Sequence, residues 1–472
     1  MIDEEICALG ASELLQLYRA RALSPVEVIS AHLERIERFN PQLNAFISTL
    51  DDSALTAAHE AEALFRKGLA AGPLQGVPIS LKDMIRVKGG KTTAASRLLM
   101  NAPPDAEDAA LTRALRAAGA IILGKNNLHE FASGAPGPDS PYGVVQNPRR
   151  LGCSPGMSSS GSGAAVAAGQ GVISVGTDTG GSVRIPAHFC GVVGLKPTSH
   201  GLDMSGIIPL SHSLDCPGFL ARRVADVESA WLACTPAGFA MPTSTRRGTK
   251  RRMRIAILQA GILERLQPAV ETAYQHSIDT LRQLGHDLQE IPVDGLEEMA
   301  DITLIITQAE AAAYHERFRG QEALYGTGFL QNRLTPGRDM KAVDYIFACR
   351  RRMEFQWTWN ERFRNMDALI LPTSPLTAPL LTASTGCIQG VEVDYRKISG
   401  CFTRLFNCLG WPAITLPNGV DNEGLPSSIQ IAAREGKEPT LIALAKELER
   451  AQAFCLPIQP RDGKGALLCP NE

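Results

Sequence analysis

Residues 155–198 read "PGMSSSGSGAAVAAGQGVISVGTDTGGSVRIPAHFCGVVGLKPT", and the alternation inside this stretch decides the fold. The segment 163–169, Gly-Ala-Ala-Val-Ala-Ala-Gly, suits a helix, and 171–176, Gly-Val-Ile-Ser-Val-Gly, suits a buried strand. Small residues and hydroxyls crowd at two points. Ser158, Ser159 and Ser160 precede the helix, and Gly180, Gly181 and Ser182 follow the strand. Serines before a helix are common N-caps, and glycine and serine are common turn residues. A chemical reading competes. A hydroxyl at a helix N-terminus sits where developing negative charge is favoured. Glycine amides, bare of side chains, can approach a ligand closely, and amides beside a serine are what a tetrahedral oxyanion needs. The residues of this stretch leave both readings open.

Outward from it, the same alternation continues. "GVPISLKD" (76–83) reads as a buried strand ending at Lys82. Lys82 is either a surface lysine beside Asp83 or an inward-pointing amine, whose charged form burial disfavours. "DAALTRALRAAGAIILGKN" (108–126) reads as helix, Gly119, strand. Its Gly-x4-Gly-Lys spacing matches a phosphate loop, but Asn126 replaces the Ser/Thr and Ala-Ile-Ile-Leu reads as strand, so nucleotide binding is not expected. Strand patterns recur at 254–258, 287–292, 367–371, 412–416 and 427–432, with helices near 267–284, 296–317, 341–363 and 438–452. At the N-terminus, Ser24-Pro25-Val26-Glu27 is a capping box opening a helix that Pro41 should stop, and a second helix fits 52–67. These patterns predict an α/β protein: a large mixed, mostly parallel sheet covered on both sides by helices. Residues 1–70 are expected to be a helical region packed on the core of an α/β domain spanning 71–472, the two forming one compact unit. The stretch 235–253, rich in Pro, Gly, Ser, Thr and Arg, is the expected linker loop.

Bulk properties exclude several classes. The 472 residues are 44% hydrophobic and 20% charged with net charge −2, so no strong field draws nucleic acid or anionic membrane. The acidic start, MIDEEICALG, lacks a signal peptide's apolar region, and no 18-residue apolar run predicts a membrane span. Eleven cysteines, an odd number without a Cys-x-x-Cys pair, fit reduced thiols in a cytoplasmic protein better than disulfides or a metal site.

Residues 155–198, with "GPLQGVPISLKD" (72–83), "LRAAGAIILGKNNLHEFA" (115–132) and "GIIPLSHSLDCPGFLARRVAD" (206–226), resemble the amidase signature family of serine hydrolases. A looser similarity at 400–432 extends the resemblance over most of residues 5–455. It implies that family's fold and a Ser–Ser–Lys triad: Ser182 the nucleophile, Ser158 the bridging serine (which in the family follows a cis peptide bond), and Lys82 the base. The resemblance further implies an oxyanion hole of Thr179, Gly180, Gly181 and Ser182, with Asp178 and Arg184 supporting the loop. The chemistry is coherent: a serine hydroxyl needs a base, and a neutral Lys82 relayed through Ser158 can supply one. His188 is expected to be a core histidine, and Cys153 and Cys190 buried small residues. Met157 and Ser160 stand where the family usually has glycine. Met157 and Tyr142 are the candidate pocket residues, with 125–142 and 300–400 the stretches expected to line the pocket.

The resemblance implies hydrolysis of the carbon–nitrogen bond of an acyl amide, anilide or carbamate through an acyl-serine. No cofactor or metal is expected, and the expected partners are a small-molecule substrate and a second copy in a homodimer. The alternative is a glutaminase subunit of a tRNA-dependent amidotransferase. "FLQNRLTPGRDMKAVDYIFACRRRMEF" (329–355) looks like the hydrolase version of its region, without the Arg-rich segment that holds glutamine in those subunits.

Overall fold

The structure, a computed structural model, describes residues 2–69, 72–133, 140–236, 252–259, 265–292 and 294–468. The linker expected at 235–253 lies mostly outside the described residues.

Eleven strands form the central sheet. In chain order they are β1 (Phe46–Thr49), β2 (Pro78–Lys82), β3 (Ile121–Asn126), β4 (Ile173–Asp178), β5 (Val193–Lys196), β6 (Cys216–Ala221), β7 (Arg254–Leu258), β8 (Asp287–Ile291), β9 (Ala368–Pro372), and, after a separate hairpin β10 (Thr385–Ile388) and β11 (Val391–Asp394), β12 (Ala413–Val420) and β13 (Pro426–Ala432). Their spatial order is β1-β3-β2-β4-β6-β5-β12-β13-β9-β7-β8.

The sheet is mixed, as expected, but parallel pairing is confined to two blocks: β3-β2-β4 and β9-β7-β8. Every junction between and outside these blocks is antiparallel. The predominance of parallel pairing predicted from helix–strand alternation therefore does not hold. β1–β3, β12–β13 and β13–β9 pair antiparallel, and β5 and β6 add further antiparallel junctions. They lie in stretches whose strand character the Gly, Pro and Cys residues mask, and they insert antiparallel partners beside β4.

Alternation along each strand divides two cores. Ile79, Leu81, Ile173, Val175 and Phe219 face one core, which they share with Ile6, Leu14 and Val28 of the N-terminal helices. Helices Leu296–His315, Ala342–Arg362 and Arg404–Leu409 cover part of the other face over Ala256, Leu369, Leu371 and Ala413. That other face is lined with small residues beside β4, where helix Ser160–Ala167 packs down onto the sheet. A Cβ on Gly176 would sit 2.6 Å from Ser159 Oγ, so glycine is what lets the serine segment touch the strand.

Ser24 caps its helix as predicted, accepting from the Glu27 amide at 3.1 Å while Glu27 Oε2 accepts from the Ser24 amide at 2.8 Å. Pro41, however, does not stop that helix, which runs from Pro25 to Leu43. The chain ends the helix instead at Asn44, in the left-handed region at φ 52°. Asn44 is fixed there by its side-chain bond to the Tyr142 carbonyl (2.5 Å).

Candidate active site

Lys82 is the last residue of β2 and is fully buried. It is not the surface partner of Asp83. Its Nζ donates to Ser158 Oγ at 2.8 Å, Thr177 Oγ1 at 2.8 Å and Ser159 Oγ at 3.1 Å. Asp83 turns the other way and meets Lys125 Nζ of β3 at 2.9 Å, both side chains being fully buried. The stretch that mimicked a phosphate loop is therefore strand β3, and its lysine is in an ion pair. Burial dominates at Lys82. It pulls the amine down to about 7, against the upward pull of the Asp215 and Asp178 carboxylates.

The serine segment does not act as a capping motif. Ser159 occupies the N-cap position of helix Ser160–Ala167, yet its hydroxyl makes no cap bond and donates instead to the Thr177 carbonyl at 3.1 Å. The Ser159 amide donates to the Ser182 carbonyl at 3.2 Å. This bond brings the Ser158 segment and the Ser182 loop side by side. No cis peptide bond occurs among the described residues, so the Met157–Ser158 bond is trans, contrary to the expectation. The trans form is the intrinsically favoured one, and with it Ser158 Oγ already meets Lys82.

β4 runs two residues further than predicted, to Asp178, so Thr177 and Asp178 are strand residues and the turn starts at Thr179. Asp178 organises that turn. Its carboxylate accepts from the Gly181 amide at 2.8 Å and the Val183 amide at 3.1 Å, and takes a bidentate pair of bonds from Arg184 at 2.8 and 3.0 Å. Arg184 extends to the Thr403 carbonyl, Gln430 Oε1 and Asn407 Oδ1 at 2.7–2.9 Å. Burial alone would raise the Asp178 carboxyl. The Arg184 guanidinium outweighs it and holds the group well below the usual carboxylate range. The expected supporting pair is thus a fully buried, fully bonded scaffold.

The two glycines of the turn have different reasons to be glycine. Gly181 has φ +118°, and a Cβ there would lie 2.1 Å from Thr403 Oγ1, so the turn itself requires it. Its amide is already engaged by Asp178, which removes it from the expected oxyanion set. Gly180 has neither constraint: the nearest atom to a Cβ would be Arg404 Cγ at 3.5 Å. Among the described residues, the amides of Thr179, Gly180 and Ser182 donate to no protein acceptor.

Several contributors were missed in the sequence. Thr177 and Ser159 complete the Lys82 hydroxyl cage. Asp215, in the stretch 206–226, accepts from Thr179 Oγ1 at 2.5 Å and from the Leu210 and Ser211 amides at 2.8 and 3.0 Å. Burial raises its carboxyl to about 6. The only available signal was a lone acid in an otherwise neutral Leu-Asp-Cys-Pro run. Thr403, Asn407 and Gln430 lie in the stretch 400–432, whose looser similarity singled out none of them.

His188 is a core histidine. It is buried, lowered by desolvation to about 4, and its Nε2 meets the Leu376 carbonyl at 2.8 Å. Cys153 and Cys190 are buried free thiols. The two pocket candidates separate. Met157 packs with Ile185, Phe189 and Leu376, whereas Tyr142 packs with Met84, Phe131 and Phe329. The stretches expected to line the pocket do meet at that second cluster, where the Phe131 and Phe329 ring centroids are 5.3 Å apart. Phe131 and Ala132, and facing them Ala94 and Ala95, all have φ between 44° and 58°, and the Phe131 amide bonds the Ala94 carbonyl at 2.9 Å. Non-glycine backbone in this region is strained, and such strain gathers at functional sites.

The chain is similar to known proteins over most of its length. The family model described as Amidase matches residues 27–442. The chain is 34% identical over 484 residues to a subunit of the glutamyl-tRNA(Gln) amidotransferase of Anaeromyxobacter dehalogenans (strain 2CP-C), covering 95% of this chain and 97% of the relative. It is 35% identical over 465 residues to an amidase of Pseudomonas putida, covering 94% and 96%. The crystal structure of a peptide amidase from Stenotrophomonas maltophilia superposes with a TM-score of 0.79 at 28% identity, over 95% of this chain and 98% of that one.

Proposed function

This chain belongs to the amidase (amidase signature) family of hydrolases acting on carbon–nitrogen bonds, and on that premise we propose that it cleaves an acyl amide, anilide or carbamate through an acyl-enzyme on Ser182. One observation carries the reading: a fully buried amine, lowered to about 7, whose hydrogen bonds all go to hydroxyls. An amine in that state accepts a proton near neutral pH.

Ser182 Oγ attacks the substrate carbonyl carbon. Its proton passes to Ser158 Oγ as the Ser158 proton passes to Lys82 Nζ. The carbonyl oxygen, now an anion, is met by the unengaged amides of Thr179, Gly180 and Ser182; in comparable sites one such donor contributes roughly 3 kcal/mol. The relay then runs backwards. Ser158 protonates the leaving nitrogen, the carbon–nitrogen bond breaks, and the acyl group stays on Ser182. Water, losing its proton along the same path, attacks the ester and releases the acid. Asp178 and Arg184 hold the loop and take no proton, because their bonds are saturated. Asp215 holds Thr179 through its hydroxyl and thereby aims the first amide of the hole.

A second reading, a glutaminase subunit feeding ammonia to a tRNA-dependent amidotransferase, is favoured by the full-length similarity to subunits of such enzymes. The triad chemistry is the same in both readings, and they differ in substrate and partner.

The test is covalent trapping. A serine-reactive fluorophosphonate should label Ser182 alone, read by peptide mass spectrometry, and labelling of any other residue overturns the mechanism. Parallel assays over aliphatic amides, anilides, carbamates and glutamine separate the two readings. Turnover of glutamine alone among them would favour the amidotransferase reading.

A further inference from the structure

Helix Ala342–Arg362 carries two apolar faces. One is spent on the protein: Ala348, Trp359 and Phe363 are buried in the core over β9 and β12, with Tyr345 and Phe355 packed beside them. The other faces outward. Val343 is 66% exposed, Ile346 56%, Phe347 64%, Met353 65% and Trp357 71%. These residues, with Arg350 between them, recur every three to four positions and form a seam down the 21-residue helix. At 1.5 Å per residue the helix is about 31 Å long. Large exposed apolar residues aligned in one row, rather than scattered singly, mark an interaction surface. The residue types, Trp, Phe, Met and Arg, are those enriched at interface cores.

We propose that this seam pairs with the same seam of a second copy of the chain, the two helices lying antiparallel across a two-fold axis. Self-complementarity selects the occupant. Antiparallel pairing that sets Arg350 against Glu354 of the second copy does so twice, by symmetry, because a two-fold interface matches each contact with its mirror. The same register sets Phe347 against Trp357 twice and leaves Met353 beside the axis. Arg350 has no ion pair among the described residues, while Glu354 is already held upright by Arg351. The opposing charges thus fall between the aromatic pairs, where they fix register. A membrane surface fits less well. Asp344, Glu354 and Glu361 share the exposed side of the helix, whereas helices that lie on anionic lipid present a Lys/Arg-rich polar face.

Sedimentation equilibrium of the full chain tests this. The wild type should dimerise with a dissociation constant on the order of 1 µM, typical of a transient interface. Trp357→Asp should weaken it at least about tenfold, as loss of a buried aromatic anchor does, with an unchanged circular dichroism spectrum. Arg350→Glu and Glu354→Arg should each weaken the dimer, and the double variant should restore it, since the swapped charges again oppose. These exposed positions carry the test if Trp357→Asp fails to fold. The proposal is overturned by a wild type that stays monomeric at roughly a hundred times that concentration, or by a dimer indifferent to Trp357→Asp. It is equally overturned by single charge variants that weaken a dimer the double variant does not restore, or by a monomer that floats with phospholipid vesicles instead.

Discussion

Two lysines lie on adjacent parallel strands, both with fully buried side chains, and they meet opposite surroundings. Lys125 on β3 faces the Asp83 carboxylate at 2.9 Å and the Thr92 hydroxyl at 2.8 Å. Lys82 on β2 faces three hydroxyls and no bonded carboxylate. A buried cation is tolerated when an anion pairs with it, and a buried amine without such a partner sheds its proton. The lesson is that the fold uses one residue type twice, once as half of an ion pair holding two strand ends together and once as a hydroxyl-caged amine, the base of the proposed mechanism. What separates the roles is whether a carboxylate stands within bonding distance.

The contrast can be broken most decisively at the nucleophile it serves. Ser182→Ala should lower kcat/KM by roughly 10^4-fold or more, the scale seen when a covalent nucleophile is removed. Steady-state kinetics on any substrate the wild type turns over will decide it, and residual turnover near wild type would falsify the assignment.

Next come the two lysines themselves. Lys82→Met should lower kcat by about 10^2- to 10^4-fold, the usual contribution of a general base, without lowering the free energy of unfolding. Lys125→Met should do the reverse. It strands the Asp83 carboxylate and should cost about 3–5 kcal/mol of stability, while the folded fraction keeps its kcat. Urea unfolding and kinetics on both variants read this out. Equal losses of activity, or a Lys82 variant that unfolds far more easily, would erase the distinction.

A smaller effect lies in pH. With the Lys82 amine at about 7 in the folded protein, activity should rise through neutrality to a plateau on the alkaline side. Stability should follow the same sign. The folded-state value is depressed below that of the unfolded chain, so between about 7 and the ordinary lysine value of 10.5 the unfolded chain binds the extra proton. This group's contribution therefore increases with pH across that window and is lost as pH falls through about 7. Lys82→Met should remove that part of the slope. A wild-type rate flat from acid to alkaline pH speaks against a lysine base.

The smallest expected change is Met157→Gly. Met157 is half-buried against Ile185 and Leu376, next to Ser158 but outside the hydrogen-bonded cage. Its loss should shift KM between small and bulky acyl groups more than it shifts kcat. Identical kinetics across an acyl series would make the methionine incidental.

The chemistry-bearing residues were legible through a resemblance that is local; by residue type alone they also fitted caps, turns and a surface lysine. Ser158, Ser182, Asp178 and Arg184 sit in one run of small residues and hydroxyls, and Lys82 ends a strand whose apolar pattern is plain. Helix boundaries at capping residues were legible from local pattern, as Ser24 shows. The antiparallel strands β5 and β6 were not. Strand direction is set by which neighbour a strand finds, and local pattern carries no trace of it. Pro41 misled because a proline near a helix end removes a donor without ending the helix when a left-handed residue soon after does so.

Hydroxyls, an amine and bare glycine amides are present in the chain's own order, but their residue types left cap, turn and surface readings open, and the resemblance of the stretches that hold residues 82, 158 and 182 is what implied a serine hydrolase. Folding settled the states of those groups. It drew the Thr177 and Ser159 hydroxyls around Lys82 and sent Asp83 to Lys125. It also gave the Gly181 amide to Asp178 while leaving that of Gly180 unengaged. The charge state of Lys82 depends on hydroxyls tens of residues away, whereas the availability of the Gly181 amide turns on Asp178 just before the same turn, and burial makes each of those contacts a decision about a proton or a donor.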